Sequence, residues 1–176
     1  QKNQQQNEYE KSRKNKDPKP LILDRLPTEQ ERMDTFNQIS EVYDNILQFD
    51  EWFLGMGKYR KKLINNANGN VLEVACGTGR NMRYYVDAIK NNNSTVNGVY
   101  FVDKSEGMID EIKMKPIAKK KLFKTFQVSD ASELIFENDK FDTVVDTFGL
   151  CSYEDPNKAI DEMVRVCKPN GKILML

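Results

Sequence analysis

Histidine is missing from all 176 residues. Its absence removes a histidine general base, a Ser-His-Asp triad and every histidine metal ligand. The three cysteines, Cys76, Cys151 and Cys167, make no CxxC pair, so no zinc-binding spacing can be assembled and no metal is expected. Three reduced, mostly buried thiols are the expected state. No stretch approaches the run of about 18 apolar residues that a membrane-crossing helix needs. Neither sign of charge dominates, since Lys+Arg and Asp+Glu both number 27, so net charge gives no general attraction to nucleic acid. The first residue is Gln1, not methionine, so a processed or partial chain is expected. The length suits one domain.

The pattern that is present centres on residues 71–81, VLEVACGTGRN. Val71, Leu72 and Val74 read as a buried strand. Gly77 and Gly79 then permit backbone conformations closed to other residues. Residues 80–90 follow with helical spacing, placing Met82, Tyr85, Val86 and Ile89 on one face. A strand, a glycine turn and a helix start make the floor of a nucleotide-type pocket. The turn is no P-loop, because no Gly-Lys-Ser/Thr follows. A dinucleotide fingerprint fails too, since its third glycine would fall at Met82.

Several further segments extend the pattern: GVYFVDKSEGM at 98–108, VSDASELIF at 128–136, FDTVVDTFGLCSYEDP at 141–156 and RVCKPNGKILML at 165–176. With the glycine segment they resemble, in order and spacing, the class I S-adenosylmethionine-dependent methyltransferases. The resemblance implies a Rossmann-like, doubly wound α/β sheet with strand order 3-2-1-4-5-7-6. Five strands can be placed and the C-terminal strands of that sheet are absent from the sequence. Ala75 stands where the commonest family form has glycine, and its small side chain is expected to have little consequence.

The division expected is a polar tail at 1–20, an N-terminal helical lid at 21–68 and an incomplete methyltransferase-like α/β domain at 69–176. The tail is rich in Gln, Asn and Lys and has almost nothing to bury. Thr28 and Glu31 fit a capping box, and Met33, Phe36, Ile39, Tyr43 and Ile46 recur at helical spacing, read as core packing. A second helix is expected at 51–66, with Trp52, Phe53, Met56, Tyr59 and Leu63 as its apolar face and Lys58, Arg60, Lys61 and Lys62 as its solvated side. Between 113 and 124 lie six lysines, interrupted by helix-breaking Pro116. That patch and the tail offer weak binding to RNA or anionic lipid, and a solvated face is the plainer reading.

By the resemblance, Glu73, Ala75, Gly77 and Gly79 form the cofactor turn. Asp103 ends the second strand and accepts the ribose hydroxyls; the competing reading makes it a helix N-cap, a role open to Ser105 as well. Met108 lies against the adenine face or in the core. Asp130 and Ala131 read the adenine, although Asp130 would also serve as an N-cap for SELIF. Tyr43 of the Tyr43-Asp44 pair is a lid residue over the cofactor or a packing residue. Asp146 ends the fourth strand as a cofactor contact and as the candidate catalytic base, with Thr147, Phe148 and Gly149 at the methyl-transfer mouth.

The segments YDNILQFDEWFLGMGKYRKKLI, VLEVACGTGRN and VDTFGLCSYEDP are similar to a fungal and protist group of mitochondrial inner-membrane methyltransferase-like proteins, related to quinone-biosynthesis C-methyltransferases. Two functions follow from this. One is methyl transfer from S-adenosylmethionine to an unidentified acceptor. The other is a catalytically silent subunit of a larger mitochondrial assembly. An apolar fifth strand at a sheet edge is an aggregation hazard, so a protein partner is expected to cover that edge and to order the tail.

Overall fold

A computed structural model describes residues 25–91 and 95–176, with the side chains of 48–52 left aside. The expected tail at 1–20, most of the asparagine loop and the side chain of Trp52 lie outside the described residues.

Strands β1 (Gly69–Val74), β2 (Val96–Asp103), β3 (Phe123–Val128), β4 (Phe141–Asp146) and β5 (Cys167–Met175) form one sheet in the order β3-β2-β1-β4-β5. All four pairings are parallel. The five strands thus take the order expected for them. The chain leaves β1 toward β2 and β3, then returns to place β4 on the other side of β1. This reversal opens a crevice at the carboxyl ends of β1 and β4, where ligands bind in open α/β sheets.

Helices α1 (Glu29–Phe53), α2 (Met56–Ile64), α3 (Met82–Lys90), α4 (Glu106–Met114) and α5 (Pro156–Val166) surround the sheet. Alternating strand residues feed two cores. On one face Val71, Val99, Phe101 and Val145 pack with Tyr85, Ile109 and Ile112. On the other Leu72, Val74, Val102 and Val144 pack with Ala159, Met163 and Val166 of α5. Ser105 caps α4 by accepting from the Met108 amide at 3.2 Å, which leaves Asp103 free of that duty. Asp155 caps α5 in the same way, with Pro156 in the first turn. Pro116 ends α4 and opens a short 3-10 turn, as its lost amide requires.

The capping box at α1 is present. The Glu31 amide donates to the Thr28 hydroxyl at 3.3 Å, and the Glu31 carboxylate accepts from the Thr28 amide at 2.8 Å. The helix boundary differs from expectation. α1 runs through to Phe53, and the break comes at Gly55, whose φ of 66° ends one helix and starts the next. Helical periodicity continues across 46–53, so only a residue free to take the left-handed conformation marks the break. The faces of α2 are also reassigned. Tyr59 is exposed and Arg60 is buried, the reverse of the expected arrangement, and Ile46 of α1 is exposed as well.

Candidate functional site

A cavity of about 590 Å³ lies over the carboxyl ends of β1, β2, β3 and β4, beneath α1. Its floor is the turn 75–78. Gly77 has a φ of 53° and lines the cavity, and a Cβ built on it would meet only Tyr43 Cε1 of the cover, in van der Waals contact at 4.0 Å. A ligand can therefore approach this backbone as no side chain would allow.

Asp103 stands at one wall with both carboxylate oxygens fixed by backbone donors. Oδ2 accepts from the Gly77 amide at 2.7 Å and Oδ1 from the Ser105 amide at 2.9 Å. Burial raises its pKa, and the bonds from Ser105, Gly77 and Lys104 oppose that rise. Each oxygen keeps lone-pair capacity, so the side chain is preset to accept from two adjacent hydroxyls. Asp130 lines the next wall with Ala131. It is no N-cap, since no helix follows; its carboxylate accepts from the Ser132 amide at 2.8 Å and from Lys104 Nζ at 2.6 Å. Burial works against its ionisation, but Lys104 and Ser132 prevail and hold it below the ordinary carboxylate value. Met108 is buried and lines the cavity, as do Tyr43, Ala75 and the loop residues Thr147, Phe148 and Gly149.

Three predicted residues do not reach the cavity wall. Gly79 is required for packing: at φ 76°, its missing Cβ would lie 2.4 Å from Ile112 Cδ1 and 2.8 Å from Met82 Sδ. Glu73 is sealed beneath the floor, where its Oε1 accepts from Asn81 Nδ2 at 3.1 Å. Burial lifts its pKa from 4.5 to about 7, against the Tyr85 hydroxyl beside it and the Arg60 charge. Asp146 is 1 % exposed, and its two oxygens accept from the Gly149 amide at 2.8 Å and the Tyr153 hydroxyl at 2.7 Å. These bonds brace the loop after β4 from behind the cavity wall.

The floor carries an unexpected conformation. Ala75 has a φ of 47°, in the left-handed region, so the exchange from glycine has a conformational cost of about 1 kcal/mol. Phe148 also lies there, with a φ of 65°. Arg60 Cζ stands 5.0 Å from the centroid of the Phe148 ring. The same guanidinium donates to Asn81 Oδ1 and Thr147 Oγ1, each at 3.0 Å, joining α2 to the loops after β1 and β4.

The cover is fastened at three points. Glu29 accepts from Lys104, which also holds Asp130. Asn37 Oδ1 accepts from the Ser105 hydroxyl at 2.6 Å and the Gly107 amide at 3.1 Å. Asp44 accepts from Thr78 Oγ1 at 2.6 Å, Arg80 Nη1 at 3.0 Å and Lys115 Nζ at 2.5 Å. Burial disfavours the Asp44 charge, yet these bonds, led by Lys115 and Thr78, bring its pKa below the ordinary value. Met33, Phe36 and Tyr43 of α1 therefore face the cavity as well as packing beneath the helix.

The sequence reading passed over Arg60, Lys104, Lys115, Asn37 and Tyr153. Arg60 and Lys115 sit inside basic runs whose other members are solvated, so no local pattern separated them. The Asn37 side chain finds its partners, Ser105 and Gly107, 68 and 70 residues away. Among the described residues no group of His, Cys, Asp or Glu is arranged to hold a metal, and no helix is long and apolar enough to cross a membrane. Cys76 and Cys167 are buried free thiols and Cys151 is exposed.

Comparison with known proteins agrees with this geometry. Residues 72–175 match the family model described as a methyltransferase domain. The mitochondrial methyltransferase OMS1 of Saccharomyces cerevisiae is 35 % identical over 157 residues, covering 80 % of this chain and 32 % of that protein. The demethylmenaquinone methyltransferase of Leptospira interrogans is 36 % identical over 159 residues, covering 81 % and 58 %. The chain thus spans about a third to three fifths of the curated relatives it matches. Among solved structures, the [4+2]-cyclase SpnF aligns with a TM-score of 0.63 at 17 % identity, covering 82 % of this chain and 58 % of that one. The complex between the Haloferax volcanii Trm112 methyltransferase activator and a methyltransferase gives 0.63 at 17 %, covering 80 % and 58 %. These two likenesses speak for the fold. Sheet order, the placement of the cavity and the family match converge: this chain belongs to the methyltransferase domain family, whose cofactor is S-adenosylmethionine.

Proposed function

We propose that this domain transfers a methyl group from S-adenosylmethionine to an apolar, hydroxyl-bearing small molecule of the quinone-precursor class. The observation that carries the reading is the Asp103–Gly77 pair: a carboxylate fixed by two amides, next to a turn whose missing Cβ opens into the cavity. These residues fit an adenosine ribose above a bare stretch of backbone.

When bound, the cofactor supplies a methyl group made electrophilic by its sulfonium. Asp103 accepts the two ribose hydroxyl protons in hydrogen bonds. The 75–78 turn bears the methionine portion, and Asp130, Ala131 and Met108 bound the adenine. Tyr43 closes the site from α1 and excludes water. The acceptor lies between α1 and Phe148, against Phe36, Leu47, Leu54 and Met56, which are all wall residues. Those apolar walls, and the name of the Leptospira relative, support the acceptor class. Alignment of nucleophile and methyl group is the main contribution of such a site. The similarity to the yeast protein supports a mitochondrial location.

Titration calorimetry with S-adenosylmethionine tests the reading. Wild type is expected to bind in the micromolar range, and Asp103→Asn to bind about 100-fold more weakly, because one accepting oxygen becomes a donor facing an amide. Gly77→Val is expected to fill the turn and abolish binding. A folded wild type that gives no heat favours the catalytically silent alternative.

A further inference from the structure

The corner between α1 and α2 carries an exposed apolar surface of which Leu54 alone also lines the cavity. Val42, Ile46 and Phe53 lie on one stripe of α1 by helical spacing and are 47 %, 53 % and 73 % exposed. Leu54 follows at 64 % and Tyr59, on α2, at 56 %. Exposed apolar residues scattered singly need no explanation, but a contiguous group marks an interaction surface.

Beside this group runs a groove between α2 and α3. Its lining includes Lys58, Lys61, Arg80, Arg83 and Lys115, with Asp44 the one carboxylate among its described lining residues. Asp44 is already held by Arg80 and Lys115. Among the described residues no carboxylate lies within ion-pair distance of Lys58, Lys61 or Arg83. The whole chain carries equal numbers of acidic and basic residues, so this excess is a local segregation of charge. The two features meet at the cavity, because Leu54 and Met56 are wall residues and Leu54 is also open to the outside.

We propose that the α1–α2 corner docks on an anionic lipid bilayer. Phe53, Leu54 and the α1 stripe enter the boundary between headgroups and acyl chains. Lys58, Lys61 and Arg83 meet the lipid phosphates. Apolar area and basic charge are the two terms that hold a helical surface at a membrane interface. Nucleic acid would satisfy the cations but has no use for exposed Val42, Ile46 and Leu54. Tyr84, the aromatic residue in the groove, is buried under Arg83, whose Cζ is 4.7 Å from its ring centroid, and offers no stacking face. Docking in this orientation puts the cavity mouth at the bilayer, from which an apolar acceptor enters without crossing water. Acceptor delivery rests on the methyltransferase reading; docking does not.

The test is flotation of the full chain with vesicles of phosphatidylcholine alone, and of two parts phosphatidylcholine to one part phosphatidylglycerol. S-adenosylmethionine titration of the same preparations reports separately on the cofactor site. The wild type is expected to float with the mixed vesicles, not with the neutral ones, and more weakly as salt rises. The triple reversal Lys58→Glu, Lys61→Glu, Arg83→Glu is expected to lower partitioning by more than roughly tenfold, since each cation near such a surface is worth about fivefold. Phe53→Ser is expected to lower it several-fold with the charge intact. Both variants keep wild-type circular dichroism. Failure to float with mixed vesicles, or equal flotation of the triple variant, overturns the proposal. Binding to a homopolymeric RNA in place of vesicles overturns it too and reassigns the groove. Loss of cofactor binding with flotation intact sinks the methyltransferase reading alone.

Discussion

The floor of the cavity and its helical cover are held by different forces. In the floor, Val71, Leu72, Val144 and Val145 are wholly buried and Val74 nearly so, and each strand is paired on both sides at β1 and β4. In α1, Ser40 is the single residue classed as buried among those whose side chains are described. The cover rests on half-buried apolar residues and three polar clasps at Glu29, Asn37 and Asp44. Apolar burial of the floor resists local opening, whereas part-exposed hydrogen bonds and ion pairs exchange with water at little cost. The proposed function asks for both, a fixed floor and a cover that opens to admit the cofactor and closes against water.

The comparison breaks most sharply at Gly79. Alanine there adds a Cβ 2.4 Å from Ile112 Cδ1 at a positive φ. Overpacking and left-handed strain together are expected to cost about 3 kcal/mol, read as a lower urea midpoint. An unchanged midpoint would mean the floor yields as readily as the cover.

Glu73 sets a pH dependence in the floor. Its folded pKa of about 7 exceeds the ordinary 4.5, so the native state binds more protons between those values. Stability contributed by this group is therefore full below pH 4.5 and is lost as pH rises to 7. Glu73→Gln removes the ionisation. Relative to wild type, the variant is expected to gain on the order of 3 kcal/mol between pH 4.5 and 8. Thermal unfolding of both proteins across that range checks it; parallel curves would contradict the buried charge.

The cover is expected to answer differently. Asp44→Ala removes three clasping bonds from a carboxylate whose side chain is 40 % exposed, so global stability should change little. Cofactor release should quicken about five- to tenfold, as an equilibrium worth about 1 kcal/mol shifts toward opening. Stopped-flow dissociation reads this, and an unchanged rate with a lowered melting temperature would make α1 part of the core instead. The smallest effect is at Ala75, where glycine is expected to relieve left-handed strain and add up to about 1 kcal/mol, visible as a small rise in Tm.

Much of this protein was legible in its sequence because the signals are local. Val71, Leu72 and Val74 announce a buried strand as a short apolar run before a turn, Gly77 announces the turn, and Thr28 with Glu31 announces a helix start. Each depends on neighbours within a few residues, and each is found where expected. Asp103 was singled out by the resemblance to the methyltransferase family, and it stands at the carboxyl end of β2. The misassigned positions are those whose partners are remote. Arg60 looks like its neighbours Lys58 and Lys61 until the fold brings Asn81 and Thr147 to it, 21 and 87 residues away. Lys115 is one of six lysines in a run until Asp44, 71 residues earlier, closes on it. Asp146 differs from these, since the Gly149 amide and the Tyr153 hydroxyl that bond it lie only 3 and 7 residues on.

By itself the sequence determined the strand segments and the glycine turn, since hydrophobic periodicity and backbone freedom act over short range, while the strand order and the acidic residues of the pocket were what the family resemblance implied. Tertiary structure alone decided which carboxylates face the cavity, which cations are solvated and how the cover is fastened. A charge acquires its role from burial and from partners across the chain, and only folding supplies those.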